Sequence, residues 1–185
     1  MSFAHPCLLA ALLASIIGPI PAATLERLSM DDMVQKSTDI VRVRVQNSSA
    51  SLRGTPGRGN IYTHYTVQVL ERWKGNSAAQ MDVAVPGGTV ANRRQTFPGS
   101  PALQSNTEYV LFLWTSPSGL TQIIGLSQGL VNVRVDASGT TVLTRAGIGE
   151  PMVDTSGNSV TDPGFSTTLT GFRTTMRTYG LGAVK

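Results

Sequence analysis

Glu108-Tyr109-Val110-Leu111-Phe112-Leu113-Trp114 is the stretch on which the fold turns. A continuous apolar run of strand length, bounded by turn residues, predicts a strand covered on both faces. Downstream, Thr121 to Leu126 and Leu130 to Val135 predict two more strands. Asp136, Ser138 and Gly139 then supply turn chemistry into a strand over Thr140 to Leu143. Upstream, Val41, Val43 and Val45 alternate with Arg42 and Arg44, the period of a strand with one wet face. Ile61 to Trp73 is dense in Tyr, Thr and Val, and a single period of two places Ile61, Tyr65, Val67, Val69 and Trp73 on one face. Met81, Val83 and Val85 form a third alternating run, closed by Pro86-Gly87-Gly88.

Ser48 to Asn60 and Thr89 to Ala102 read as exposed loops. Ser29 before Asp31 and Asp32 predicts an N-capped short helix to Ser37. Phe165, Leu169, Phe172, Met176 and Tyr179 recur at spacings of three and four, which predicts a closing helix over about 165–179. No crossover helix separates the central strands. The expected fold is therefore mainly β: a partly open, antiparallel, OB-like barrel of five to seven strands with a short N-terminal helix and a C-terminal helix.

Residues 1–22 read as a secretory signal peptide. Leu8 to Ile17 is apolar apart from Ser15, and Gly18, Pro19, Pro21 and the small pair Ala22-Ala23 follow. The run is too short to span a bilayer, so no membrane span is expected after cleavage. Cleavage would also remove Cys7, the single cysteine, together with His5. The expected product, 23–185, is one secreted or periplasmic domain without disulfides or thiolate metal sites. The chain's 15 basic and 11 acidic residues give a net charge of +4, mildly favouring acidic surfaces while also serving solubility.

Gly125-Leu126-Ser127-Gln128-Gly129 matches the G-x-S-x-G nucleophile elbow, which would make Ser127 the nucleophile of a serine hydrolase. That chemistry needs a base, and His64, the one histidine beyond the signal, lies upstream where the elbow fold places it downstream. A strand also follows Gly129 where the elbow has a helix, so two glycines at a tight bend are the preferred reading. His64 beside Tyr62, Thr66 and Gln68 reads as a surface histidine. Asp154, Ser156, Asn158 and Asp162 carry oxygen ligands but lack calcium-loop spacing, and they read as an ordinary turn. No catalytic, cofactor or metal residue is assigned, and no cofactor is expected. The candidate partner-binding residues are Arg42, Arg44, Arg93, Arg94 and Arg134, which make one basic face if their strands are neighbours.

Thr38-Asp39-Ile40-Val41, Tyr62-Thr63 through Val67 to Trp73-Lys74-Gly75, Glu108 to Leu113 and Gln128-Gly129, taken in succession, resemble uncharacterised exported bacterial proteins. Further off, the same order resembles the netrin-like domain of tissue inhibitors of metalloproteinases, which implies an OB-type barrel and a binding habit. Those inhibitors chelate zinc through an amino-terminal cysteine and hold their inhibitory edge with disulfides. Beyond Cys7 this chain has no cysteine, so no residue inherits that role. The expected function is an exported, non-catalytic binding or interaction domain for a protein or anionic glycan, with no specific nucleic-acid partner. The alternatives are a hydrolase using Ser127 and a structural cell-envelope subunit.

Overall fold

The computed structural model describes residues 24–55, 58–76 and 78–184. The expected leader and Cys7 lie outside the described residues. Among the described residues no helix is long and apolar enough to cross a membrane.

The chain enters through β1 (Leu25–Glu26) and α1 (Met30–Lys36). Ser29 caps the helix as its sequence foretells: its Oγ accepts from the Asp32 amide at 3.1 Å, and Asp32 Oδ2 accepts from the Ser29 amide at 3.0 Å. Next come β2 (Asp39–Arg53), β3 (Asn60–Lys74), β4 (Gln80–Pro86) and a small hairpin of β5 (Gly88–Val90) and β6 (Arg93–Gln95). Then follow β7 (Glu108–Thr115), β8 (Thr121–Ile123), β9 (Leu130–Val135) and β10 (Thr141–Arg145). The chain ends through β11 (Met152–Val153), β12 (Ser159–Val160), β13 (Phe165–Thr168) and α2 (Leu169–Thr178).

Strands β2, β3, β4, β8 and β7 close on one another in that order, because β7 pairs with both β2 and β8. All pairings in the ring are antiparallel except β4–β8, which is parallel and rests on one register pair, Ala84 with Gln122. A five-stranded ring with one thin seam is the partly open barrel of the OB type. Strands β8 and β9 share the β7 edge away from β2, β8 against Leu113–Thr115 and β9 against Tyr109–Leu111, and from β9 the sheet fans out beyond the ring through β10 and β13.

Strand β7 is buried on both faces from Tyr109 to Leu113, whereas Trp114, which the apolar run places under cover, is 42% exposed. Tyr109, Leu111 and Leu113 point into the barrel with Val41, Val43, Val45, Tyr65, Val67, Val83 and Val85. Val110 and Phe112 point outward into a second core with Ile40, Val131 and Leu143, beneath Met33 and Val34 of α1 and Leu169, Phe172 and Met176 of α2. The apolar run is continuous because each face meets a different core.

Four expectations change. Ile61 to Trp73 does not keep one face: the β2–β3 register slips between Ile40 and Val41 and between Arg42 and Val43, leaving Trp73 and Leu70 as extra residues on β3. These bulges turn Glu71 and Trp73 outward, where Glu71 meets Arg173 of α2 at 2.6 and 2.8 Å and Trp73 packs on Phe172. Ser48 to Arg53 is strand rather than loop, and Thr89 to Ala102 contains β5 and β6. Thr121 to Leu126 is strand only as far as Ile123. The closing helix starts at Leu169, not near 165, because the β-branched stretch before it pairs with β10 and Thr168 becomes the N-cap, accepting from the Gly171 amide.

Candidate functional site

Two hairpins meet at one pole of the barrel. The tip of β2–β3 carries Arg53 and Arg58, and β6 carries Arg93 and Arg94, all four exposed. The hairpins are fastened together by specific bonds. Arg93 donates to the Gly59 carbonyl at 3.1 Å, Gln95 Oε1 accepts from the Ile61 amide at 2.7 Å, and the Gly87 amide donates to the Ile61 carbonyl at 2.8 Å. Gly88, at φ 139°, permits this approach: a Cβ there would lie 2.7 Å from Thr63 Oγ1. Neither Ile40 to Leu70 nor Val83 to Thr107 contains an Asp or Glu, so the segments that build the pole bring positive charge without carboxylates. Beside it, the outer face of β3 and β4 presents Tyr62 and His64, with His64 Nδ1 2.9 Å from Asp82 Oδ1.

The five arginines singled out from sequence do not share one face. Arg42 and Arg44 project from the outer side of β2, and both grip Glu108 of β7: Arg42 through Nε at 2.9 Å and a terminal nitrogen at 2.5 Å, Arg44 at 2.5 Å. Burial works to raise the Glu108 carboxyl, but the hydrogen bonds and charges of both guanidiniums outweigh it and hold the group below the usual carboxylate range. Arg134 lies on the opposite face, since Arg44 registers with Glu108, Tyr109 registers with Asn132, and sides alternate along β9. Arg93 and Arg94 belong to the pole. Arg53 and Arg58, their companions there, are not among the five; the acid-free stretches around all four were the available signal.

The G-x-S-x-G stretch forms a left-handed Gly125 followed by a 3₁₀ turn, Leu126–Gly129, with Leu126 at φ 57°. The Ser127 amide donates to the Gly99 carbonyl at 3.2 Å, and no hydrogen bond joins Ser127 to His64 among the described residues. The buried member is Gln128. Its Oε1 accepts from the Leu28 amide at 2.8 Å and its Nε2 donates to the Glu26 carbonyl at 2.9 Å, so it holds the entering strand to the barrel. Gln128→Leu is expected to leave both backbone groups without partners, at about 1–3 kcal/mol. A lower urea midpoint and lost exchange protection at the Leu28 amide would report it.

Asp154 accepts from the Ser156 and Asn158 amides, both at 2.9 Å, and closes the β11–β12 turn, whereas Asp162 is drawn away to Arg145. The oxygen-rich stretch is thus divided between two structural tasks. Fold and pole together define an OB-type barrel with an arginine-rich end. No family model, curated protein or solved structure matches the chain.

Proposed function

We propose that the chain is an exported, non-catalytic binding domain whose arginine pole docks an anionic glycan. The observation that carries this reading is that Arg53, Arg58, Arg93 and Arg94 lie on two hairpins bonded to each other at one end of the barrel, on segments that contain no carboxylate. Open barrels of this type bind extended ligands on the second and third ring strands and the loop joining the first two, here β3, β4 and the β2–β3 tip. Tyr62 on that face offers an aromatic surface beside the charge, and the acid of the same face, Asp82 of β4, lies against His64 at 2.9 Å. Export rests on the apolar run and small-residue cleavage region at the amino end. The netrin-like resemblance enters this reading as one of fold and binding habit.

Salt-dependent retention on immobilised heparin tests it. Charge reversal at Arg93 and Arg94, and separately at Arg53 and Arg58, is expected to lower the elution salt and to flatten the salt dependence by about one unit of slope per lost contact. Retention unchanged in both double variants would reject the pole. A wild-type chain that passes through heparin unretained, yet binds an acidic protein column through the same arginines, would replace the glycan by a protein partner.

A further inference from the structure

A second candidate site lies away from the pole, on the interior-facing side of the sheet where β9, β10 and β13 run beyond the ring. Two adjoining hollows meet there, of about 570 and about 270 Å³, and both are lined by Asn132 and Arg134. Their combined reach is in the range of small-ligand sites. The first has a floor set by strand register: Asn132 faces Thr144 on β10, and Thr144 faces Ser166 on β13, so an amide and two hydroxyls lie in one row across three strands. Interstrand spacing puts successive members about 4.8 Å apart. The second hollow continues the row toward Gln104, Thr107 and the ring of Tyr109.

The charges in this cleft are unequal. Asp162 neutralises Arg145 at its rim, and among the described residues no carboxylate lines either hollow. Arg134 is exposed and makes no hydrogen bond or ion pair among the described residues, although Arg42, Arg44, Arg145 and Arg173 are each committed to a carboxylate. The opposite face of the same strands is filled by Val131, Val133, Leu143 and Phe165 beneath the helices, so the polar row is the side left open. One unpaired guanidinium set among neutral hydroxyl and amide groups suits a ligand with a single negative charge on a polyhydroxylated body.

We propose that this cleft binds a short saccharide through one uronic-acid carboxylate, with Arg134 receiving the carboxylate and Asn132, Thr144 and Ser166 meeting hydroxyls. The site is independent of the pole: it uses a different strand set and takes one charge rather than a run of them. A guanidinium–carboxylate pair is the strong contact here, and neighbouring hydroxyls orient the ring.

Amide chemical-shift titration of the full chain with a trisaccharide of one glucuronate on two neutral sugars tests the assignment. Shifts are expected at Asn132, Arg134, Thr144 and Ser166, with affinity at least about tenfold weaker for the methyl-esterified trisaccharide and for Arg134→Gln. Acetate as a further arm separates bare carboxylate binding from saccharide binding, and equal affinity for acetate would overturn the saccharide assignment. Shifts confined to Arg53, Arg58, Arg93 and Arg94, or none at millimolar ligand, would overturn the cleft while leaving the heparin result at the pole to stand by itself. Full affinity in an Arg134→Gln chain whose spectrum is otherwise native would do the same.

Discussion

Phe172→Ala is expected to lower stability by about 3–5 kcal/mol, one of the two largest losses in the molecule. The side chain is wholly buried and holds three rings edge-on: Trp73 at 4.9 Å between centroids, Phe112 at 6.1 Å and Phe165 at 6.3 Å. Such pairs add to the area they bury. Helix α2 has little stability of its own, since ten residues that include Gly171 and four threonines fall below the length at which isolated helices persist. It is helical because Leu169, Phe172 and Met176 are anchored on β7, β9 and β10. Chemical denaturation gives the loss, and near-ultraviolet dichroism of Trp73 reports whether the outer core has loosened. Phe172→Leu, which keeps most of the bulk, is expected to lose markedly less.

Asp162→Asn is expected to cost a similar amount, about 3–5 kcal/mol, for an electrostatic reason. Only 5% of the Asp162 side chain and 10% of the Arg145 side chain are exposed. The carboxylate accepts from Arg145 through both oxygens and from the Ile148 and Gly164 amides, each at 3.2 Å. Removing its charge leaves a buried guanidinium uncompensated. Arg145→Met combined with Asp162→Asn removes both charges and should recover part of the loss, and the double-mutant cycle measures the coupling.

Acid provides an independent check on Asp162. Burial works to raise its pKa, but the Arg145 hydrogen bonds and charge and the two amide donors prevail, so the native value lies below the ordinary 3.8. A depressed native value means that the unfolded chain binds the proton first. The stabilisation is thus complete above the ordinary value and disappears as pH falls through the native one. The wild-type stability curve should therefore fall more steeply at low pH than that of Asp162→Asn, and parallel curves would contradict this.

The strands whose faces are uniform were legible in the sequence. Tyr109 to Leu113 reads as doubly buried because its two faces meet two apolar layers, although Trp114 in the same run is left exposed, and Val41 to Val45 reads as a strand with one wet face because valine and arginine alternate without interruption. Ile61 to Trp73 was legible as a strand but not in its facing. A bulge inserts one residue without changing composition, so period-two counting assigns Trp73 to the wrong side of the sheet. Phe165 fits the helical spacing of Phe172 yet belongs to β13, since the pairing partner that decides between strand and helix lies over on β10. The pole was half legible: Arg93 and Arg94 stood out as a pair, but their meeting with Arg53 and Arg58 depends on backbone bonds from Gly59 and Ile61 to the second hairpin. The cleft could not be read at all, because Asn132, Thr144 and Ser166 form a row only through register.

Gln128 joins Leu28 and Glu26 across 100 and 102 positions of chain, and β1 pairs in parallel with β11, which lies near the other end of the sequence. Closing so long a loop is entropically unfavourable until other structure shortens it. The β2–β3 hairpin, by contrast, needs only its own turn. Folding should therefore begin in the hairpins and finish at the amino end, so that the segment nearest the expected cleavage point is the last to dock and the first to come free.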